Sequence, residues 1–303
     1  MDLVTFRKAL EAENYIFDED FLITVYIALK LGKPLLVEGD AGVGKTEVAK
    51  VLSSIYNAEL VRLQCYEGLD ESKALYEWNY QKQLLDIELE VSRDRLGTDR
   101  EAGAGQEGTK GLNGLFSEEF LLQRPLLKAI NSEKRVVLLI DEVDKTDEEF
   151  EAFLLELLSD FQITIPELGT IKAKNIPIVI LTSNNVRPLS EALKRRCTYL
   201  YIDYPSVLKE ERIITAKLPH AGERLAQDVA SAMSVLREND KIFKKPSIAE
   251  TLDWVAALMA LGKSRLDEDG VEKTLGFILK NREDISEFIR GGGLSEFFNK
   301  KRG

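Results

Sequence analysis

Residues 39–46 read GDAGVGKT and match the pattern G-x-x-x-x-G-K-[S/T] at every fixed position. A short apolar run, Leu35-Leu36-Val37, precedes them, and residues 47–56 follow with apolar side chains at helical spacing. The glycines let backbone N–H groups turn toward a phosphate, and the start of a helix adds partial positive charge. The sequence therefore predicts a phosphate-binding loop between a strand and a helix. This loop comprises Gly39, Asp40, Ala41, Gly42, Val43, Gly44, Lys45 and Thr46.

Two adjacent carboxylates follow a second apolar strand. Residues 136–142 read VVLLIDE, which puts Asp141 and Glu142 at the carboxyl end of the strand, where open α/β sheets bind ligands. We expect Lys45 to reach the β- and γ-phosphates, Thr46 and Asp141 to hold Mg²⁺, and Glu142 to accept the proton of an attacking water. An acidic pair there could instead cap the next helix. Together with the phosphate loop, the pair favours hydrolysis of a nucleoside triphosphate.

Polar side chains also end the next two elements. Residues 182–185 (TSNN) follow an apolar strand, so the Asn184 amide is expected near the same sheet edge, where it would orient the water. A simple turn is the alternative. Arg195 and Arg196 close a short helix, and a guanidinium can pair with two phosphate oxygens of a neighbouring subunit. We expect Arg196 to act this way, with Arg195 as a second candidate, although basic residues are also favoured at any helix C-terminus.

Composition narrows the class of protein. The chain has 303 residues, a formal net charge of −11 and 44% hydrophobic residues, as is typical of a soluble globular protein. The longest apolar run spans residues 254–261, too short for a bilayer, and the first residues do not resemble a signal peptide, so we expect a cytoplasmic protein. The acidic balance argues against broad nucleic-acid binding. Cys65 and Cys197 are expected as reduced thiols, and the single histidine, His220, excludes multi-histidine metal sites.

Strands alternate with helices up to Pro205, which predicts a parallel sheet covered by helices. Residues 121–130 and 150–161 read as helices, and residues 163–166 and 170–173 read as a small β-hairpin. Residues 97–114 are rich in glycine and poor in apolar side chains, which predicts a mobile loop. After Pro205 only helical patterns follow. We therefore expect an α/β nucleotide-binding domain at residues 1–205 and an all-helical domain at residues 206–303.

These motifs resemble those of AAA+ ATPases, with GDAGVGKT as Walker A, VVLLIDE as Walker B, Asn184 as sensor 1 and Arg196 as the arginine finger. More narrowly, KPLLVEGDAGVGKTEVAKVL, YEGLDESKALYEWNY, LSDFQITIPELGTIKAKN and EALKRRC are similar to the MoxR branch, especially its CoxD-like members. The resemblance implies a P-loop AAA+ α/β fold with a β-hairpin insert and a C-terminal helical lid. It also implies ATP and Mg²⁺ as cofactors.

The same resemblance implies particular partners. MoxR-type proteins form homo-oligomeric rings, usually hexameric, that remodel a client together with a von Willebrand A domain partner. For CoxD-like members, the client is a metalloenzyme, the molybdenum-containing carbon monoxide dehydrogenase, whose maturation they assist. The resemblance therefore implies a chaperone-like ATPase that acts on another protein.

Two features leave alternatives open. Related proteins carry a sensor 2 arginine at the start of a lid helix, but here Ile248 falls at that position. Lys244 or Lys245 could replace it, or lid closure could be coupled to nucleotide differently. Residues 60–63 read as a further strand, and four aromatic residues after it could grip a client in a central channel or pack in the core. They are Tyr66, Tyr76, Trp78 and Tyr80.

Two other functions share the core motifs. A DNA-directed AAA+ motor or clamp loader has the same motifs, but the net charge of −11 argues against it. A nucleotide-gated binding switch would bind without useful turnover, and the intact Glu142 argues against that. A GTPase is disfavoured because the chain has no NKxD sequence.

Overall fold

The protein is described by a computed structural model at residues 1–95, 117–166 and 168–290. Its main sheet has five parallel strands in the order β2-β5-β8-β1-β9. They are β1 (Leu35–Glu38), β2 (Glu59–Gln64), β5 (Val136–Asp141), β8 (Ile178–Ser183) and β9 (Thr198–Tyr201). Two antiparallel pairs lie outside this sheet, namely β3 (Tyr76–Trp78) with β4 (Leu121–Gln123), and β6 (Gln162–Ile165) with β7 (Gly169–Lys172). The predicted parallel α/β fold with a small hairpin insert is confirmed.

Helices connect these strands and then make up the C-terminal region. Up to β9 they are α1 (Leu3–Ala12), α2 (Glu19–Leu31), α3 (Lys45–Ile55), α4 (Glu71–Leu75), α5 (Tyr80–Arg95), α6 (Pro125–Asn131), α7 (Glu148–Asp160) and α8 (Glu191–Arg196). After β9 they are α9 (Val207–Lys217), α10 (Glu223–Glu238), α11 (Ile248–Ala260), α12 (Glu268–Ile278) and α13 (Arg282–Arg290). None of the helices in the described ranges is long and apolar enough to span a membrane.

The central strand β5 shows why the sheet lies between two helical layers. All six of its residues are buried, as expected of a parallel strand covered on both faces. Val137 and Leu139 pack into an apolar cluster with α1, α2 and α3. Leu138 and Ile140 point to the opposite face, into a second cluster with α6 and α7. The alternation of side chains along the strand thus builds both cores.

The structure differs from the sequence-based expectation at residues 121–130. Instead of one helix, residues 121–123 form strand β4 against β3, and the helix begins only at Pro125. Proline at the first helical position disfavours a helical conformation in the residue before it, and Arg124 is extended (φ −82°, ψ 171°). The expected hairpin is confirmed at β6 and β7. Residues 97–114 lie outside the described residues.

The C-terminal helices share an apolar cluster whose buried members all lie between Ile214 and Phe288. Trp254 is fully buried in it, and its indole N–H donates to the Thr274 hydroxyl at 2.6 Å. Ser247 begins α11 with a capping box, in which it exchanges hydrogen bonds with Glu250. The helices expected after Pro205 are present, and the division of the chain into two domains at that point stays a prediction.

A buried ion pair joins three of these helices. Arg237 of α10 donates to both carboxylate oxygens of Glu210 on α9, at 2.6 and 2.8 Å, and to the Pro246 carbonyl at 2.8 Å. Thr251 of α11 donates to the same carboxylate at 2.6 Å. Bidentate geometry and added hydrogen bonds offset the cost of burying two charges. Removal of one partner would leave the other charge buried without a counter-charge.

We therefore predict that Arg237→Ala lowers the free energy of unfolding by about 3–5 kcal/mol, because Glu210 loses its counter-charge. Urea unfolding followed by tryptophan fluorescence measures the loss of stability. The chain has two tryptophans, so a Trp78→Phe background leaves Trp254 as the reporter in the C-terminal helices. The matched control is Lys273→Ala, which breaks the exposed Lys273–Asp269 pair on α12 and should leave the midpoint nearly unchanged. Equal losses in the two variants would contradict the prediction.

Candidate functional site

The phosphate loop lies between β1 and α3, and two of its glycines have no room for a side chain. A Cβ on Gly39 would lie 2.1 Å from the Ile202 carbonyl oxygen. A Cβ on Gly42, where φ is +78°, would lie 2.4 Å from the Ser247 hydroxyl oxygen. The loop is therefore packed between the end of the sheet and the start of α11. Only glycine fits at these two positions.

Lys45 lies under this loop. Its ammonium donates to the carbonyls of Gly39 at 2.8 Å and Asp40 at 2.7 Å. Burial lowers the pKa of Lys45, while the nearby carboxylates act in the opposite direction, Asp144 most strongly. Gly44, which precedes α3, has no side chain that could bond to the first amides of the helix. These donors and the helix start fit a phosphate group, as the sequence predicts.

Asp141 lies at the end of β5 and is 3% exposed. Its carboxylate accepts hydrogen bonds from Arg62 and Thr182, and the Thr46 hydroxyl lies 3.4 Å from it. The structure thus brings together the two residues expected to hold Mg²⁺. Within the described ranges, no group of three or more His, Cys, Asp or Glu side chains could hold a metal. A cation bound by Thr46 and Asp141 would need further oxygen ligands, and phosphate and water can supply them.

Glu142 and Asn184 are also in contact. The Asn184 side-chain amide donates to Glu142 Oε1 at 3.1 Å. The other oxygen, Glu142 Oε2, accepts from Gln64 and Lys145, each at 2.7 Å. Glu142 has a left-handed backbone (φ 58°), and its N–H donates to the Thr182 hydroxyl at 2.9 Å. The carboxylate expected to activate water is therefore held at the sheet edge beside the predicted water-orienting amide.

Several residues of this cluster were missed by sequence reasoning. Arg62 and Gln64 come from β2, and Thr182 comes from β8. Arg62 and Gln64 belong to no motif, and the TSNN run that contains Thr182 predicts a role only for Asn184. Only the strand order places these three residues beside β5. Asp144 is also buried, and its Oδ2 accepts from the backbone N–H groups of Asn184 and Val186. The one available signal for it was the repeated carboxylate in the run IDEVD.

Arg195 and Arg196 lie apart from this cluster. Both side chains are exposed at the end of α8. Arg196 Nε donates to the Ser159 hydroxyl at 2.6 Å and Nη1 donates to the Ala192 carbonyl at 3.2 Å. No hydrogen bond joins either arginine to the phosphate loop or to the Asp141–Glu142 pair in the described part of the chain. Neither arginine completes the site of its own subunit here.

An apolar cavity of about 570 Å³ adjoins the phosphate loop. Its lining includes Tyr15 and Ile16 from the segment before α2, and Ile248 and Leu252 of α11. Ile248, which the resemblance aligns with the sensor 2 arginine, contributes an apolar side chain to this cavity. Lys244 is exposed and Lys245 is half-buried. In the described ranges, neither ammonium is hydrogen-bonded to the phosphate loop.

The four aromatic residues after β2 divide into two groups. Trp78 is buried and Tyr76 half-buried, and their rings meet edge to face with centroids 5.9 Å apart. Tyr66 and Tyr80 are exposed. Core packing, one of the two interpretations left open, therefore accounts for Trp78 and Tyr76.

Both cysteines are free thiols, as expected.

Sequence comparison finds a similar curated protein. Among curated proteins, YojN of Bacillus subtilis (strain 168), itself described as uncharacterized, is 27% identical over 231 residues. The match covers 69% of this chain and 64% of YojN, less than two thirds of that relative's length.

Among solved structures, a RuvB mutant of Thermotoga maritima is 17% identical with a TM-score of 0.51, over 89% of this chain and 72% of that one. The Thermotoga maritima RuvB Holliday junction branch migration motor is 17% identical, with a TM-score of 0.49 and the same coverage. The likeness to the RuvB mutant concerns the AAA+ fold alone. Residues 34–197, more than half of the chain, match the AAA domain family (dynein-related subfamily), so this protein belongs to that family.

Proposed function

We propose that this protein hydrolyses ATP at the edge of its parallel sheet and uses the reaction to remodel another protein. One observation carries the first part of the proposal. The Lys45 ammonium, the Thr46–Asp141 pair and the Glu142–Asn184 pair lie together at the carboxyl ends of β1, β5 and β8. These are the groups needed to hold a triphosphate, a divalent cation and an attacking water.

Each residue has a separate task in this reaction. Lys45 and the first amides of α3 bind the phosphates, and the adjoining 570 Å³ cavity has an apolar wall suited to a nucleobase. Mg²⁺, held by Thr46 and Asp141, would neutralise charge on the phosphate oxygens. Asn184 orients the water, and Glu142 takes its proton as the oxygen attacks the γ-phosphorus and the bond to ADP breaks. Glu142 Oε1 already points to the Asn184 amide, so the proton acceptor and the orienting group are adjacent.

We propose further that hydrolysis requires a neighbouring subunit in a ring, as the resemblance to MoxR-type proteins implies. Arg195 and Arg196 are exposed and are not bonded to their own phosphate loop. A guanidinium from the next subunit could neutralise the charge that develops on the transferred phosphoryl group. Exposure on α8 supports this role, because a residue that serves another subunit must be accessible.

The client remains part of the proposal. The MoxR and CoxD-like resemblance supports a von Willebrand A domain partner and a metalloenzyme whose centre is matured. The full chain with the Glu142→Gln substitution should retain bound nucleotide. Affinity purification of this variant in the presence of ATP would capture such a partner. Recovery of a von Willebrand A protein supports this assignment, whereas DNA-stimulated, salt-sensitive turnover would favour a DNA motor instead.

We predict that Lys45→Ala abolishes ATP binding, because it removes the buried ammonium beneath the loop. Isothermal titration with ATP and Mg²⁺ should show binding in the wild type and none in the variant. Lys50→Ala is the matched control on the same helix, since Lys50 is exposed and pairs with Glu47. Unaltered binding by Lys45→Ala would refute the assignment of this loop.

We predict that Glu142→Gln keeps nucleotide affinity but lowers kcat by about 10²–10⁴-fold, the usual contribution of a general base. The glutamine retains the shape and a carbonyl acceptor for the Asn184 amide but cannot take the proton. Phosphate release and ATP titration should be measured together. Glu149→Gln at the start of α7 is the control, because Glu149 lies outside the cluster. A kcat close to wild type would remove Glu142 from the mechanism.

We predict that Arg196→Ala lowers kcat and that mixing it with Glu142→Gln restores part of the activity. In a mixed assembly, a subunit with Arg196→Ala keeps an intact Glu142. A neighbouring subunit with Glu142→Gln can supply an intact Arg196 to it. The restored rate should fall on dilution, because subunits must associate. Arg195→Ala in the same assay decides between the two arginines. No recovery on mixing at any ratio, for either arginine, would argue against a shared site.

A further inference from the structure

Asp144 is a buried carboxylate that the hydrolysis proposed above does not use. It lies in the short turn Val143–Lys145 after β5 and is 3% exposed. Burial of a carboxylate is costly unless hydrogen bonds or a nearby cation stabilise it. Its contacts therefore indicate what keeps it there.

The first oxygen of Asp144 holds the loop that carries Asn184. Oδ2 accepts from the backbone N–H of Asn184 at 3.1 Å and from that of Val186 at 2.9 Å. From the same loop, the Asn184 side chain donates to Glu142 Oε1 at 3.1 Å. Asp144 is two residues after Glu142, so one carboxylate links the turn after β5 to the loop after β8.

The second oxygen of Asp144 does not share these contacts. Oδ1 is buried and has no hydrogen-bond partner in the described part of the chain. The Lys45 ammonium lies close enough that Asp144 is the charge that most favours its protonated form. A neutral carbonyl could also accept the two hydrogen bonds from the backbone N–H groups of Asn184 and Val186. The hydrogen bonds of Asp144 can therefore be tested separately from its negative charge.

We propose that Asp144 is a positioning residue for hydrolysis, because its hydrogen bonds to the loop after β8 keep the Asn184 amide on Glu142. This inference rests on the proposed ATP hydrolysis. Asp144 does not touch the reacting atoms. It fixes the distance between the proton acceptor and the group that orients water, and small displacements of such groups are costly in rate.

Three variants of the full chain test this role. Asp144→Ala removes the acceptor, Asp144→Asn keeps a carbonyl for the two amides, and Asp147→Ala is the matched control. Asp147 also accepts a hydrogen bond from a backbone amide, that of Phe150 at 2.8 Å, but it caps α7, and in the described residues no hydrogen bond joins it to Asn184 or Glu142. ATP hydrolysis gives kcat and KM, thermal unfolding gives Tm, and titration with ATP gives affinity.

We expect Asp144→Ala to lower kcat by about 10–100-fold while KM changes little. Asp144→Asn should recover most of that loss, to within about threefold of wild type, because a neutral carbonyl accepts the same two hydrogen bonds. Asp147→Ala should lower Tm without a change in kcat, because it weakens only a helix cap.

Other results would overturn the inference. If Asp144→Ala lowers Tm as Asp147→Ala does but keeps kcat, the residue has only a structural role. If Asp144→Asn loses as much kcat as Asp144→Ala, the charge matters and the hydrogen bonds do not explain the effect. If the wild type binds no ATP or shows no turnover, the proposed function fails instead, and that result is distinct from both of these.

Discussion

The register of three adjacent parallel strands decides the rest of the site. β1, β8 and β5 end at the same edge of the sheet, since Glu38 pairs with Ser183 and Ile140 with Leu181. The Thr46 hydroxyl in the loop at residues 39–46 thereby comes within hydrogen-bond distance of Asp141, which lies 95 residues further along the chain. The position of Asp141 depends on this register, because a one-residue slip of β5 would turn its side chain to the opposite face of the sheet.

The same strand register brings opposite charges together at this edge of the sheet. Four carboxylates, those of Asp40, Asp141, Glu142 and Asp144, act on the Lys45 ammonium. Arg62 pairs with Asp141 and Lys145 pairs with Glu142, so the acidic groups at the strand end are compensated before any ligand arrives. In the proposed reaction, a triphosphate would add further negative charge to this cluster, and Lys45, the α3 amides and a divalent cation would have to balance it.

Sequence motifs were sufficient to locate the residues that we propose to act on phosphate, and insufficient to locate those that contact them. GDAGVGKT and VVLLIDE carry fixed residue types at fixed spacing, so Lys45, Asp141 and Glu142 could be located and the parallel sheet predicted. Gln64, Arg62 and Thr182 depend on which strand lies beside β5, and a single sequence contains no direct signal for strand order. The β3–β4 pair was missed for a related reason, because three-residue strands at residues 76–78 and 121–123 have too few residues to show a period.

The absence of an arginine on the first turn of α11 raises the question of how the phosphate loop and the C-terminal helices influence each other. Ser247 lies directly against Gly42, with no space for a methyl group between them. Behind it, the Pro246 carbonyl accepts from Arg237, whose guanidinium lies 4.8 Å from the centre of the Tyr204 ring. Burial raises the pKa of Tyr204 to about 12, and the charge of Asp40 in the phosphate loop adds to this shift. Close-packed groups transmit displacement because they have no free volume to absorb it. A shift of Gly42 toward α11 would therefore have to move Ser247, which gives the phosphate loop a direct steric contact with the C-terminal helices.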